Sequence, residues 1–167
     1  MMKRLAMLAL VLALLLGMTS SALAVPENVS YDTTKAFLEV LDSEDVKYTY
    51  EGIGDSGEQV RIAFNLDDGS CVIKFYFNED NQHCSIRVWN LIDFDESDLS
   101  RMYKVCSRIN SDYKYTTFYV DESDNSITVS MDLILLGDGA ASICDEALYH
   151  VASICNEAMA SLAPYRK

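Results

Sequence analysis

The first residues in this chain whose types and spacing could do chemistry are glycines. Gly52-Ile53-Gly54-Asp55-Ser56-Gly57 spells G-x-G-x-x-G, the pattern with which a dinucleotide-binding turn seats a pyrophosphate on a helix N-terminus. That chemistry requires a strand before the glycines and a helix after them. The residues that follow, Gln59–Leu66, alternate Val60, Ile62, Phe64 and Leu66 with polar side chains. Such alternation marks a strand, so Gly52–Glu58 reads as a loop. The second group is acidic: Asp121, Ser123 and Asn125 stand at the offsets of a calcium loop. Ser126, however, replaces the glycine such a loop needs and Asp132 its terminal glutamate. Weak calcium binding by acidic turns is the most this spacing supports.

His83 and His150 are the only histidines. No His-Glu-x-x-His, Gly-x-Ser-x-Gly or Cys-x-x-Cys occurs, so the zinc and acyl-transfer templates fail. Cys84 follows His83, but adjacent residues of a strand point to opposite faces and cannot act as a pair. The sequence therefore offers no catalytic residues, no metal site and no cofactor, and the expectation is a protein that is not an enzyme. Five cysteines remain, at 71, 84, 106, 144 and 155. Cys144 and Cys155 share one expected helix, eleven residues and so about 16 Å apart, too far to bond. Cys71 and Cys84 are also too far apart along neighbouring strands. Cys106 with Cys144 or Cys155 is the one pairing left open, and most of the five are expected to be buried free thiols.

The elements that must position these residues follow from periodicity. Cys71–Phe77 and His83–Asn90 alternate as Gln59–Leu66 does, and Asp67-Asp68-Gly69 and Asn78–Gln82 supply turns. The three form an antiparallel meander with one buried face. A helix near Thr33–Leu41, capped by Asp32 or Ser30, turns Phe37, Leu38 and Leu41 inward. Val46–Glu51 reads as a strand. Asp93–Asp98 is an acidic entry to a second helix, Ser97–Ser111, whose stripe is Met102, Val105, Cys106 and Ile109. Tyr113–Val120 and Ser126–Leu135 form a second hairpin, and Ala140–Leu162 a long helix that presents Ile143, Ala147, Leu148, Val151, Ile154, Ala158, Met159 and Leu162. The expected fold is α+β: an antiparallel sheet of about five to six strands, order α-β-β-β-β-α-β-β-α, with helices packed on one face.

Within that sheet the register expected from facing apolar residues sets Phe64 opposite Ile73 and Phe75 opposite Ile86. The other face then pairs Arg61 with Tyr76, Ala63 with Lys74, Lys74 with Arg87 and Val72 with Trp89. Arg61, Lys74, Tyr76, Arg87 and Trp89 thus form a candidate binding patch on the outer face. Aromatic residues and arginine are the types that anchor interfaces. An ordinary solvated face held by charge pairs and cation–π contacts is the plainer reading of the same residues.

Lys3 and Arg4 precede an apolar run, Leu5–Leu16, and Ala22-Leu23-Ala24 offers a small-x-small cleavage site. Residues 1–24 are expected to be a signal peptide, with residues 25–167 one exported domain, extracellular or in the cell envelope. An uncleaved anchor is the alternative, since Leu5–Ala24 has about the length of a span. The formal charge of −13 argues against nucleic acid or anionic lipid as a general partner, so no nucleic-acid partner is expected, and no membrane contact beyond the signal.

The order of elements resembles the YbjN family, called bacterial sensory transduction regulators, whose fold is similar to that of type III secretion chaperones. The residues that carry the resemblance are Phe37-Leu38-Glu39 through Val46-Lys47-Tyr48, the meander with Phe64, Tyr103-Lys104-Val105, Ile109-Asn110 and Asp132-Leu133-Ile134. It covers nearly all of residues 25–167 and lies in pattern and element order. It implies a dimeric protein-binding module with no catalytic residues. The better-known members are cytoplasmic, and the export signal departs from them. The functional expectation is a non-catalytic, exported protein- or peptide-binding module, a homodimer. The alternative is an extracytoplasmic sensor of a small anion or cell-wall fragment at the same patch.

Overall fold

A computed structural model describes residues 25–167; the expected signal peptide lies outside the described residues. Helix α1 is Asp32–Ser43, followed by strands β1 (Tyr48–Gly54), β2 (Gly57–Leu66), β3 (Gly69–Phe77) and β4 (His83–Asp93). Helix α2 (Leu99–Asp112), strands β5 (Thr117–Asp121) and β6 (Ser126–Ile134) and helix α3 (Ala140–Leu162) complete the order. The six strands form one antiparallel sheet in the order β1-β2-β3-β4-β6-β5. The second hairpin thus extends the meander through β6, as two strands alone rarely hold.

Alternation decides the two faces. Val60, Ile62, Ile73, Phe75, Phe77, Cys84, Ile86, Val88, Val129 and Met131 are buried together. The helices cover this face. Phe37, Leu38 and Leu41 of α1 are fully buried, and the Phe37 ring lies 4.7 Å from Phe75 and 5.7 Å from Phe77. Helix α2 buries the expected stripe, Met102, Val105, Cys106 and Ile109. The bounds of α3 are those expected, but Ile143 is exposed, because the buried stripe runs through Ala140, Cys144, Ala147, Leu148 and Val151, one residue round the helix.

The β2–β3 register is shifted by two from expectation: Ile62, not Phe64, faces Ile73, and Arg61 faces Lys74 rather than Tyr76. The hairpin closes on a Leu66–Gly69 pair with Gly69 at φ +110°, leaving only Asp67 and Asp68 in the turn. A slip of two keeps every side chain on its face, so Arg61, Lys74, Tyr76, Arg87 and Trp89 remain on the outer side of the sheet. Between β3 and β4 the pairs Phe75–Ile86 and Lys74–Arg87 stand as expected. The ladder ends there, because β4 bulges after Val88 with Asn90 at φ +50°, so Trp89 does not pair with Val72.

Two termini depart from sequence expectation. Neither Ser30 nor Asp32 caps α1; Asn81 of the β3–β4 turn accepts from the Thr33 N–H at 3.1 Å. Val46 does not begin β1. Its N–H closes the C-terminus of α1 on the Leu41 carbonyl at 2.9 Å, with Asp45 left-handed at φ +56°, a Schellman-type end. β1 instead runs on to Gly54 and β2 begins at Gly57, so only Asp55 and Ser56 of the expected Gly52–Glu58 loop lie outside strands.

Candidate functional site

The outer face of the sheet carries no helix, and its side chains are the alternate residues of the same strands. Arg61 and Lys74 meet across β2 and β3, and both reach Glu51 of the β1 bulge, at 3.6 Å and 3.0 Å. Arg87 on β4 binds Asp132 on β6 at 2.9 Å and also donates to the carbonyls of Ile86 and Met131. Burial would lift the Asp132 carboxyl, but hydrogen bonds from Ser85 and Arg87 outweigh it and hold it below the usual carboxylate range. The three cations of the expected patch thus lean on two carboxylates, Arg61 and Lys74 sharing Glu51 and Arg87 holding Asp132. None stacks on an aromatic ring; the cation–π contact among the described residues is Arg101 over Tyr165, elsewhere.

Trp89 is 45% exposed. Its indole N–H donates to the Tyr76 hydroxyl at 2.9 Å, which fixes the two rings as a unit on the surface. Beside them the face is concave. Tyr76, Ser85, Arg87 and Trp89 border an open groove of about 900 Å³, whose other wall is the β1–β2 hairpin tip, Ile53–Gly57, with Asn78, Glu79 and Asp80 at one end. Ile53 on that tip is 61% exposed. The tip is set by Gly57, at φ +98°, where a Cβ would stand 1.9 Å from the Phe77 carbonyl oxygen; only glycine lets β2 begin this close to the end of β3. At the far end Asp80 accepts from the Gln82 and His83 N–H groups and contacts the His83 ring at 2.6 Å. Its carboxyl is held below the ordinary value by the Gln82 N–H first and by His83 next.

Of the five patch residues, Tyr76, Arg87 and Trp89 line the groove, while Arg61 and Lys74 lie beside it on their shared Glu51. The hairpin tip and Ser85 escaped the sequence reading. The tip is legible in the sequence as glycines, but not as part of the groove lining. The same glycines are followed by strand β2 and not by a helix, so no dinucleotide turn exists. The calcium-like residues also part company. Asp121 accepts from Ser123 at the turn, and Asp132 sits on the outer face with Arg87. Among the described residues no group of three or more His, Cys, Asp or Glu is placed to hold a metal ion. His83 begins β4 and His150 is exposed on α3.

Comparison with known proteins agrees with the resemblance. The solved structures similar to this chain include the crystal structure of YbjN from E. coli, with a TM-score of 0.54 and 15% identity, covering 78% of this chain and 96% of that one. At that identity the likeness is one of fold. No curated protein matches the sequence. The family model described as "Putative bacterial sensory transduction regulator" matches residues 34–162, from the first turn of α1 to the end of α3. That span takes in every strand and every groove residue named above, and with it this chain belongs to the YbjN family.

Proposed function

We propose that this protein is an exported, non-catalytic binding module that receives an extended segment of a protein partner in the outer-face groove. The observation that supports this reading is the groove itself: a fixed Trp89–Tyr76 pair opposite an exposed Ile53, with polar side chains between them. Rigid aromatic surface beside hydrogen-bonding groups suits a peptide, since it offers contact area at little conformational cost. A small anion is served less well. Arg61, Lys74 and Arg87 already have carboxylate partners, and the groove end carries Glu79 and Asp80. The concavity keeps one second reading in view, a sensor of an uncharged cell-wall fragment. Homodimerisation belongs to the proposal and is expected through α3 or the β5–β6 hairpin.

The test is selection of displayed peptides on the purified domain, followed by titration of the enriched sequences. Trp89→Ala should weaken their binding by tenfold or more with the melting midpoint nearly unchanged. Indifference of every selected peptide to Trp89, or no enrichment at all, would overturn the assignment. Saturable binding of uncharged N-acetylglucosamine oligosaccharides in the absence of peptide binding would put the sensor reading in its place. Light scattering of the same sample reads the oligomeric state, and a monomer would remove the dimer from the proposal.

A further inference from the structure

The buried face of the sheet holds four thiols that the groove does not use. Cys71 and Cys84 point inward from β3 and β4, and Cys144 and Cys155 point back from α3; their exposures are 5%, 0%, 0% and 0%. Within either element the spacing forbids a bond, but the same spacing matches across the interface. Cys71 pairs with Phe64 near the β2–β3 turn, whereas Cys84 pairs with Phe77 at the other end of β3. Those sites lie six strand residues apart, about 20 Å, against about 16 Å between the two helix cysteines. Contacts at the turn fix which end meets which. Asn156, next to Cys155, accepts from the Asp67 N–H at 2.7 Å and donates to its carboxylate at 2.8 Å. Helix α3 is thereby laid along the strands with Cys155 towards Cys71 and Cys144 towards Cys84, and all four thiols are free and buried.

The two pairs are not equivalent. Cys84 is sealed, and burial first, then Cys144, pushes its thiol well up. Cys71 keeps the residual exposure, and its hydrogen bond with Cys155 favours the Cys71 thiolate. Cys106 on α2 stands apart, pushed up to about 11 by burial. Thiolate character and access decide which thiol attacks a disulfide.

We propose that Cys71 and Cys155 are a site of oxidative modification, closed by a small disulfide into a β3–α3 cross-link while Cys84, Cys144 and Cys106 stay reduced. The Cys71 thiolate attacks one sulfur of the small disulfide, forming a mixed disulfide and releasing one thiolate. Cys155 then loses its proton, and its sulfur attacks that of Cys71, displacing the second thiolate. Two protein thiols are oxidised and one small disulfide is reduced to two thiols. The product tethers the C-terminal helix to the sheet.

The test uses the whole folded chain with oxidised glutathione at neutral pH, without denaturant, followed by alkylation and peptide mapping. The expected result is loss of two of the five thiols, one cross-linked peptide joining Cys71 to Cys155, and recovery of all thiols with dithiothreitol. Cys84→Ala should still lose two thiols. Cys155→Ala should halt at a single glutathione attached to Cys71, an intermediate that a merely buried thiol would not collect. Five alkylated cysteines, a first cross-link between Cys84 and Cys144, or a link between two chains would overturn the proposal. Wild-type mapping decides the matter even should a variant fail to fold.

Discussion

Glu58 stands where the alternation of β2 asks for an apolar residue, and it is fully buried. Its carboxylate accepts from the Ser30 N–H at 2.6 Å, the Tyr31 N–H at 3.1 Å and the Tyr50 hydroxyl at 2.7 Å. It therefore ties the segment entering α1 to the edge strand, a link that no local pattern in the sequence discloses. Removing an acceptor of this kind leaves buried donors unsatisfied, which costs more than the hydrogen bonds themselves contribute. Glu58→Ala should lower stability by about 3 kcal/mol, read as a shift in the urea midpoint with the slope unchanged. A loss below about 1 kcal/mol would mean that water replaces the carboxylate. Trp89 is the contrasting residue. Half-exposed and joined to Tyr76 by one hydrogen bond, it should cost no more than about 1 kcal/mol when truncated. That is why the binding test can use it without unfolding the protein.

At the scale of elements, the parts set by side-chain periodicity were legible and the parts set by distant partners were not. The stripe of α2, the bounds of α3 and the inner faces of β2, β3 and β4 follow from which residues are apolar. The start of α1 does not, because Asn81 bonds the Thr33 N–H from 48 residues away and Glu58 holds the Ser30 N–H from 28 residues away. The β2–β3 register departs from expectation because two aspartates and a left-handed glycine close a tighter turn than three loop residues suggest. A slip of two leaves Arg61, Lys74, Tyr76, Arg87 and Trp89 on the outer face, whereas the groove also takes in the β1–β2 hairpin tip, which the alternation of β2, β3 and β4 does not place. Helix and sheet packing gives a paired prediction. Phe75 lies under the Phe37 and Phe77 rings with no exposure, so Phe75→Ala should cost about 3–5 kcal/mol. Ile143→Ala on α3 was expected at the interface but is exposed, and should change stability by no more than about 0.5 kcal/mol. Denaturation midpoints of the two variants check both placements. Equal losses would show that α3 is rotated from the position described.

For the molecule as a whole, the formal charge of −13 means that each further negative charge is added against self-repulsion. Two tyrosines make this testable at high pH. Tyr48 has its hydroxyl enclosed near Asp42, and burial first, then the Asp42 charge, raise it from the ordinary 10.0 to about 12. Tyr50 is raised as well, by burial and then by its hydrogen bond to Glu58. Both belong to the edge strand β1 and help hold α1 against the sheet. A folded-state value above the unfolded one means that the native state holds the phenolic proton more tightly. The stabilisation is therefore complete below pH 10 and is lost as pH rises from about 10 towards 12. The expected record is a urea midpoint that is flat through neutral pH and falls above pH 10, with phenolate absorbance from Tyr48 and Tyr50 emerging together with unfolding. Tyr48→Phe, which cannot ionise, should flatten part of that fall, and added salt should soften the rest by screening the acidic surface. Ionisation of all tyrosines near pH 10 in the native protein, with no loss of stability, would show that β1 is open to water and does not clasp α1.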